Sequence, residues 1–244
     1  MKRKIRHIIL WILGLGSVVL LFWLVRFAER QRLSAACAGY EIRVGREGSV
    51  YLQERDVEQW LDKSVRWNGG TVRDINPSLI EHVLDDNPYV REAQVYFTAD
   101  ARLHLDVRQR EPFLRVYAPD PFYLDEDGLR LPVNAAYPCR LRVCTIEGKA
   151  TEERLAQVFA LEKMLRRDSL LDAMIDQIHL DRRQEFELIP KVGRQRIRLG
   201  TFDRMEEKLA NTVLFYRRGM PQSGWERYAV LDLKYRGQIV AVRR

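Results

Sequence analysis

The sequence predicts an α+β fold, in which one apolar N-terminal helix precedes a small β-α-α-β-β unit and a larger strand-rich unit. Three observations carry this. An uncharged apolar run from Ile8 to Val25 stands apart from everything after it. Short runs with apolar residues at every second position, the period of half-buried strands, recur from Tyr40 onward. Between them lie segments with apolar residues at i, i+3 and i+4 and recognisable helix caps.

The 244 residues are 46% hydrophobic and 31% charged, the composition of an ordinary globular chain with enough apolar surface for a core. The net charge of +7 is unevenly placed. Lys2, Arg3, Lys4, Arg6, Arg26, Arg30 and Arg32 face only Glu29 within the first 32 residues, which leaves the body nearly neutral. A nucleic-acid binder needs a basic stripe on its body, and none is present.

The apolar run spans roughly 27 Å as a helix, close to the hydrocarbon thickness of a bilayer. Trp11 and Trp23 sit toward its ends, where amphipathic rings favour the membrane interface. By the positive-inside rule, residues 1–7 form a cytoplasmic tail, 8–27 a transmembrane helix of the cell inner membrane, and the remainder is exported to the periplasm. A cleaved secretory signal has a shorter apolar core followed closely by small residues. Here Ala35-Ala36-Cys37-Ala38 arrive only after Arg26, Glu29, Arg30 and Arg32, and the same charges argue against lipidation of Cys37. Gly14, Gly16 and Ser17 form no clear helix-packing pair. Residues 28–38 read as a polar, small-residue linker.

The first exported unit covers residues 39–110. Tyr40, Ile42 and Val44 alternate with Glu41 and Arg43 as a strand that Gly45 and Gly48 end. Val57, Trp60 and Leu61 share one face of a short helix. A second helix begins at Asn76, a capping residue, with Pro77 at its first position, and Ile80, Val83 and Leu84 share one face of it. Asn87-Pro88 ends it, because proline disfavours helical geometry in the residue before it. Two alternating runs follow, Ala93/Val95/Phe97 and Leu103/Leu105/Val107, with residues 98–101 as the turn. Such a unit buries one face of a three-stranded sheet and leaves a spare edge.

The second unit covers residues 111–244. Asp127-Gly128 between Phe122/Leu124 and Leu129/Leu131 marks a hairpin. A helix is expected over Glu152–Arg167, and strands over Ile175–Leu180, Glu185–Ile189 and Arg196–Leu199. Another helix carries Met205, Leu209, Val213 and Tyr216. The chain closes with Tyr228–Tyr235 and Gln238–Val242, a hairpin turning at Arg236-Gly237. Cys139 and Cys144 stand at an offset that a local bridge spans only across a turn, and Cys37 is left over.

Chemistry is sparse. His7, His82, His104 and His179 are scattered away from metal-ligand spacing, so no metal and no cofactor is expected. No nucleophile elbow, P-loop or dinucleotide fingerprint is present, and Gly69-Gly70 is a loop signal. Asp125-Glu126-Asp127 reads as a solvated hairpin tip, since calcium loops spread their ligands over about twelve residues. A partner-binding module without catalytic residues is the inference.

The chain resembles the FtsQ/DivIB family of cell-division proteins over nearly its whole length. The resemblance rests on the β-α-α-β-β unit, which would be a POTRA domain, and on Asn87-Pro88-Tyr89-Val90 with the junction Gln109-Arg110-Glu111-Pro112. It rests further on the Phe122–Pro132 hairpin, on Ile197-Arg198-Leu199-Gly200 before the Lys208–Tyr216 helix, and on the closing run from Leu231 to Val240. It implies a non-enzymatic, single-pass protein of the division septum that binds FtsB-like and FtsL-like proteins, assembles the divisome and helps control septal peptidoglycan synthesis. In the family, FtsB adds a strand near the C-terminal hairpin. The matching positions are Asp232, Lys234, Tyr235, Gly237, Gln238, Ile239, Val240 and Ala241, with Tyr235 as aromatic anchor and Lys234 as charge partner. Leu231, Leu233, Ile239 and Val240 are also candidates for plain core. Two other readings compete. A POTRA-bearing chaperone or secretion component predicts repeated units or a barrel, and a membrane-anchored cell-wall hydrolase predicts a catalytic cluster.

Overall fold

The computed structural model describes residues 2–45, 52–64, 70–133, 139–224 and 226–244, with side chains from Trp11 onward apart from Ile12, Leu13, Arg32, Lys63, Ser64, Gln222 and Ser223. Gly48 and Gly69, expected as loop residues, lie outside it, as do the side chains of the basic head and of His7. The chain divides into two compact units, 1–109 and 110–244, one residue from the expected boundary.

In the first unit, helix α1 runs from Lys2 to Ser34. Residues 28–34, expected as linker, are therefore helical; Ala, Glu, Arg, Gln and Leu there are strong helix formers that simply continue the turn. The four residues that follow are tied down by backbone bonds, Val72 N–H to the Ala35 carbonyl at 3.0 Å and Ala38 N–H to that of Ala101 at 3.0 Å. Among the described residues no helix is long and apolar enough to cross a membrane. The expected span over 8–27 includes Ile8, Ile9, Leu10, Ile12 and Leu13, whose side chains lie outside that set. From Leu15 to Phe27 the large apolar side chains are exposed, Leu15 to 69%.

Strand β1 (Tyr40–Gly45), helix α2 (Glu54–Ser64), a 3₁₀ turn (Val72–Asp74), helix α3 (Pro77–Asp85) and strands β2 (Val90–Phe97) and β3 (Leu103–Gln109) complete this unit. The sheet order is β1-β3-β2, with β1 parallel and β2 antiparallel to β3. Asn76 accepts from the Ser78 N–H at 3.1 Å and so caps α3. Val57 and Leu61 of α2 and Ile80 and Leu84 of α3 are buried against Val95, Leu103, Leu105 and Val107.

Among the described residues the second unit holds nine strands in one mixed sheet. They are β4 (Pro112–Tyr117), β5 (Phe122–Asp125), β6 (Arg130–Pro132), β7 (Val143–Ile146), β8 (Ile175–Leu180), β9 (Phe186–Pro190), β10 (Arg196–Gly200), β11 (Tyr228–Asp232) and β12 (Val240–Arg243). Their spatial order is β12-β11-β10-β9-β8-β7-β4-β5-β6. Helices α4 (Glu152–Arg167) and α5 (Ser169–Met174) connect the parallel neighbours β7 and β8. Helix α6 (Met205–Leu214), a π turn over Phe215–Gly219 and α7 (Met220–Ser223) connect the parallel neighbours β10 and β11. Parallel pairs need such crossovers, and a fixed crossover hand puts both sets of helices on one face. One core results, with Leu161, Leu165, Leu209 and Met220 over Cys144, Ile178, Leu188, Ile197 and Leu231.

Strands β4 and β7 and helix α5 were not foreseen, being short and without clear alternation. The hairpin tip also differs. Glu126 and Asp127 are exposed, but Asp125 is 2% exposed. Its carboxylate accepts from Leu129 N–H at 2.8 Å and Asp127 N–H at 3.0 Å and pairs with Arg110 at 3.0 Å. The turn is built around this acid, with Gly128 at φ +84°, where a side chain is rarely tolerated. Cys37 and Cys144 are free thiols, and burial pushes that of Cys144 well above its usual range.

Candidate functional site

The residues expected to dock a partner fall at the C-terminal border of the large sheet. Among the described residues β12 pairs with β11 alone, so it leaves a row of backbone N–H and C=O groups facing outward. The register sets Leu231 opposite Ala241, Val230 opposite Val242 and Asp232 opposite Val240. Leu231 is buried in the helix-side core and Ala241 packs on that core. Alternation sends the others to the opposite face, where Val230 is half-buried and Val240 and Val242 are 40% and 48% exposed. An added strand would meet both free main-chain groups and apolar side chains here.

The hairpin is shorter than its alternation suggests. β11 stops at Asp232 and β12 starts at Val240, so Lys234, Tyr235, Gly237, Gln238 and Ile239 form the connection, while Asp232, Val240 and Ala241 lie in strands. The cause is local. The Asp232 carboxylate accepts from the Lys234 N–H at 3.0 Å, a short-range bond that turns the chain out of the ladder. Leu233 remains attached to β10 through its N–H to the Arg198 carbonyl at 2.9 Å and is buried. Leu231 and Leu233 are core and Ile239 packs partly buried against it; Val240 is exposed.

The connection is held by contacts from distant parts of the chain. Lys234 Nζ lies 3.5 Å from the Glu185 carboxylate, and its carbonyl accepts from Arg204 Nη2 at 3.3 Å. Its aliphatic stem crosses Gly200, whose φ is +71° and where a Cβ would stand 2.7 Å from Lys234 Cγ. Arg204 belongs to a fixed corner: Lys208 Nζ donates to the Thr201 carbonyl at 2.8 Å and to Asp203 at 3.2 Å. Hydrogen bonds from the Thr201 hydroxyl, then Arg204 and Lys208, hold the Asp203 carboxyl far below its ordinary range. Tyr235 is 53% exposed and Gly237, at φ +70°, turns the chain in open space.

On the open face, Thr145, His179, Glu187, Arg198 and Asp232 stand in register across five strands and lead to Val240. Glu187 pairs with Arg196 at 3.2 Å and Arg198 at 3.7 Å. His179, Glu185, Glu187, Arg198 and Lys234 line a shallow cavity of about 450 Å³. Among the described residues no group of three His, Cys, Asp or Glu is placed to hold a metal.

Sequence reasoning missed half-buried Val230 and exposed Val242 as the apolar neighbours of Val240 on this face, and Gly200, Glu185 and Arg204 as supports. The valines were legible once Leu231 was assigned to the core, since alternation fixes their face. The supports were not, because parallel pairing of β10 with β11 brings them close across thirty or more residues.

A β-α-α-β-β unit followed by a helix-backed sheet whose last strand has a single neighbour among the described residues is an α+β module that presents a free strand edge. Residues 35–108 match the model of the POTRA-like domain, and residues 111–242 match that of the FtsQ/DivIB, C-terminal related family. A comparison with curated proteins gives no match. The chain belongs to the FtsQ/DivIB family, which places it among cell-division proteins that act through protein–protein contacts and are generally non-catalytic.

Proposed function

We propose that this chain is a non-enzymatic, single-pass protein of the cell inner membrane that assembles the divisome by binding FtsB-like and FtsL-like proteins, and thereby helps control septal peptidoglycan synthesis. The observation that carries the reading is the open β12 edge in a chain of the FtsQ/DivIB family. A partner strand laid along Val240–Arg243 would extend the sheet through main-chain bonds, while Val240 and Val242 offer it apolar contact. Tyr235 stands beside that edge in sequence as a large, exposed ring with few rotamers to lose, the kind of residue that anchors interfaces. Lys234 supplies charge near it.

The membrane anchor is supported by the uncharged run Ile8–Val25 and by the helix that carries it, whose apolar side chains from Leu15 to Phe27 find no protein core. The basic residues before the run favour a cytoplasmic N-terminus and a periplasmic C-terminus. Depletion in cells is the functional test: filaments without septa support the reading, and normal division sinks it. At the residue level, Tyr235→Ala weakens binding of an FtsB-like coiled-coil protein by more than about 1 kcal/mol. Unchanged affinity in a folded variant removes Tyr235 as the anchor.

A further inference from the structure

We propose that a cavity beside the starts of β7 and β8 and the end of β9 binds a short peptide through its free amine and free carboxylate together. The cavity measures about 640 Å³ and is separated from β12 by β10 and β11. That volume lies in the range of small-molecule sites, roughly 300–1,000 Å³.

Its floor is a buried ionic lock. The Arg142 side chain is 6% exposed; Nε donates to the Ile175 carbonyl at 3.0 Å, Nη1 to Glu162 at 2.6 Å, and Nη2 to the Asp172 carbonyl and carboxylate at 3.0 and 2.9 Å. Glu162 is fully buried, and its second oxygen takes the Arg166 Nε–H at 2.8 Å. Arg166 also donates from Nη2 to the Phe113 carbonyl and lies 3.8 Å over the Phe113 ring. Among the described residues these bonds fix both guanidinium planes yet leave both Arg166 Nη1 hydrogens, one Arg166 Nη2 hydrogen and one Arg142 Nη1 hydrogen without an acceptor.

Arg140, Lys191 and Asp176 line the same cavity, and among the described residues none of their three side chains has an ion pair or hydrogen bond, the Lys191 backbone N–H alone donating to the Met174 carbonyl at 2.8 Å. Two cations and an acid share one cavity without pairing with each other there, while Leu141 and Ile175 add apolar surface. A phosphate or another pure anion would meet Asp172 and Asp176 as well as the cations. A zwitterion satisfies both signs: its carboxylate takes the spare guanidinium and ammonium donors, and its amine faces the aspartates. This assignment stands independently of docking at β12.

The test is calorimetric titration of the full-length chain with trialanine, N-acetyl-trialanine, trialaninamide and inorganic phosphate. Trialanine binds saturably, each blocked form binds at least about tenfold more weakly, and phosphate does not compete. Arg140→Gln combined with Lys191→Gln weakens trialanine binding by a similar factor while the thermal midpoint stays unchanged, because both side chains are exposed and the buried lock is untouched. Absence of saturable binding, equal binding of the blocked peptides or of phosphate, or unaltered affinity in the double variant overturns the proposal.

Discussion

Replacing Gly200 by alanine tests how the proposed docking border is held. At φ +71° an L side chain costs about 1–2 kcal/mol through clash with its own backbone. The new Cβ would also come within 2.7 Å of Lys234 Cγ and 2.9 Å of Cδ. That stem is flexible and yields, but yielding releases the Lys234–Glu185 pair, whose side chains are 36% and 40% exposed, at a further cost of about 0.5 kcal/mol. The total is about 1.5–2.5 kcal/mol. In a Lys234→Ala background only Cβ remains at position 234, and it lies 3.7 Å away, an ordinary contact. There the loss falls to the backbone share alone, about 1–2 kcal/mol. Urea unfolding of the four members of this double-mutant cycle, followed by circular dichroism of the full chain, measures both numbers. A Gly200→Ala chain as stable as the parent denies the left-handed backbone at this corner. Identical losses in the two backgrounds deny that Lys234 crosses Gly200.

Other perturbations read other parts of the molecule. Glu162→Gln removes the buried counter-charge of Arg142, leaving it only the half-exposed Asp172 carboxylate, and lowers unfolding stability by about 3 kcal/mol; a loss below about 1 kcal/mol shows that the lock does not hold the large unit together. Asp203→Asn lowers stability by about 0.5–1 kcal/mol at neutral pH, a figure kept small because the side chain is 53% exposed. Since folding depresses this carboxyl below its ordinary 3.8, its contribution is complete above that value and fades as pH falls further. Parent and variant melting curves therefore converge in acid, and a gap independent of pH refutes the charge argument. Asn76→Ala removes the α3 cap and costs about 1 kcal/mol, measured in the same denaturation experiment; no change means that the Ser78 N–H is as well satisfied by water.

Much of the small unit was legible because its signals are local. Asn76-Pro77 starts α3, Asn87-Pro88 ends it, and the alternations in β1, β2 and β3 each state which side chains face the core. The large unit was legible where alternation is strong, as in β8 and β10, and where a helix is long, as in α4. β4 and β7 were not read as strands, since Val143–Ile146 is a run of four with no bounding turn. The Asp125 tip was read as solvated because a sequence of three acids gives no sign that Arg110 stands ready to pair with the first.

At the proposed docking border, alternation alone predicts a hairpin of Tyr228–Tyr235 and Gln238–Val242 and sets Leu231 and Leu233 on one face. That β12 is the outermost strand among the described residues, where the hairpin stops, and which distant residues hold its connection emerge only from the folded sheet. The difference is one of range. Alternation and turn chemistry act over a few neighbouring residues, whereas an edge exists only relative to every other strand in the sheet. That order was set by two helical crossovers, which pair β7 with β8 and β10 with β11 in parallel and leave β12 with a single neighbour.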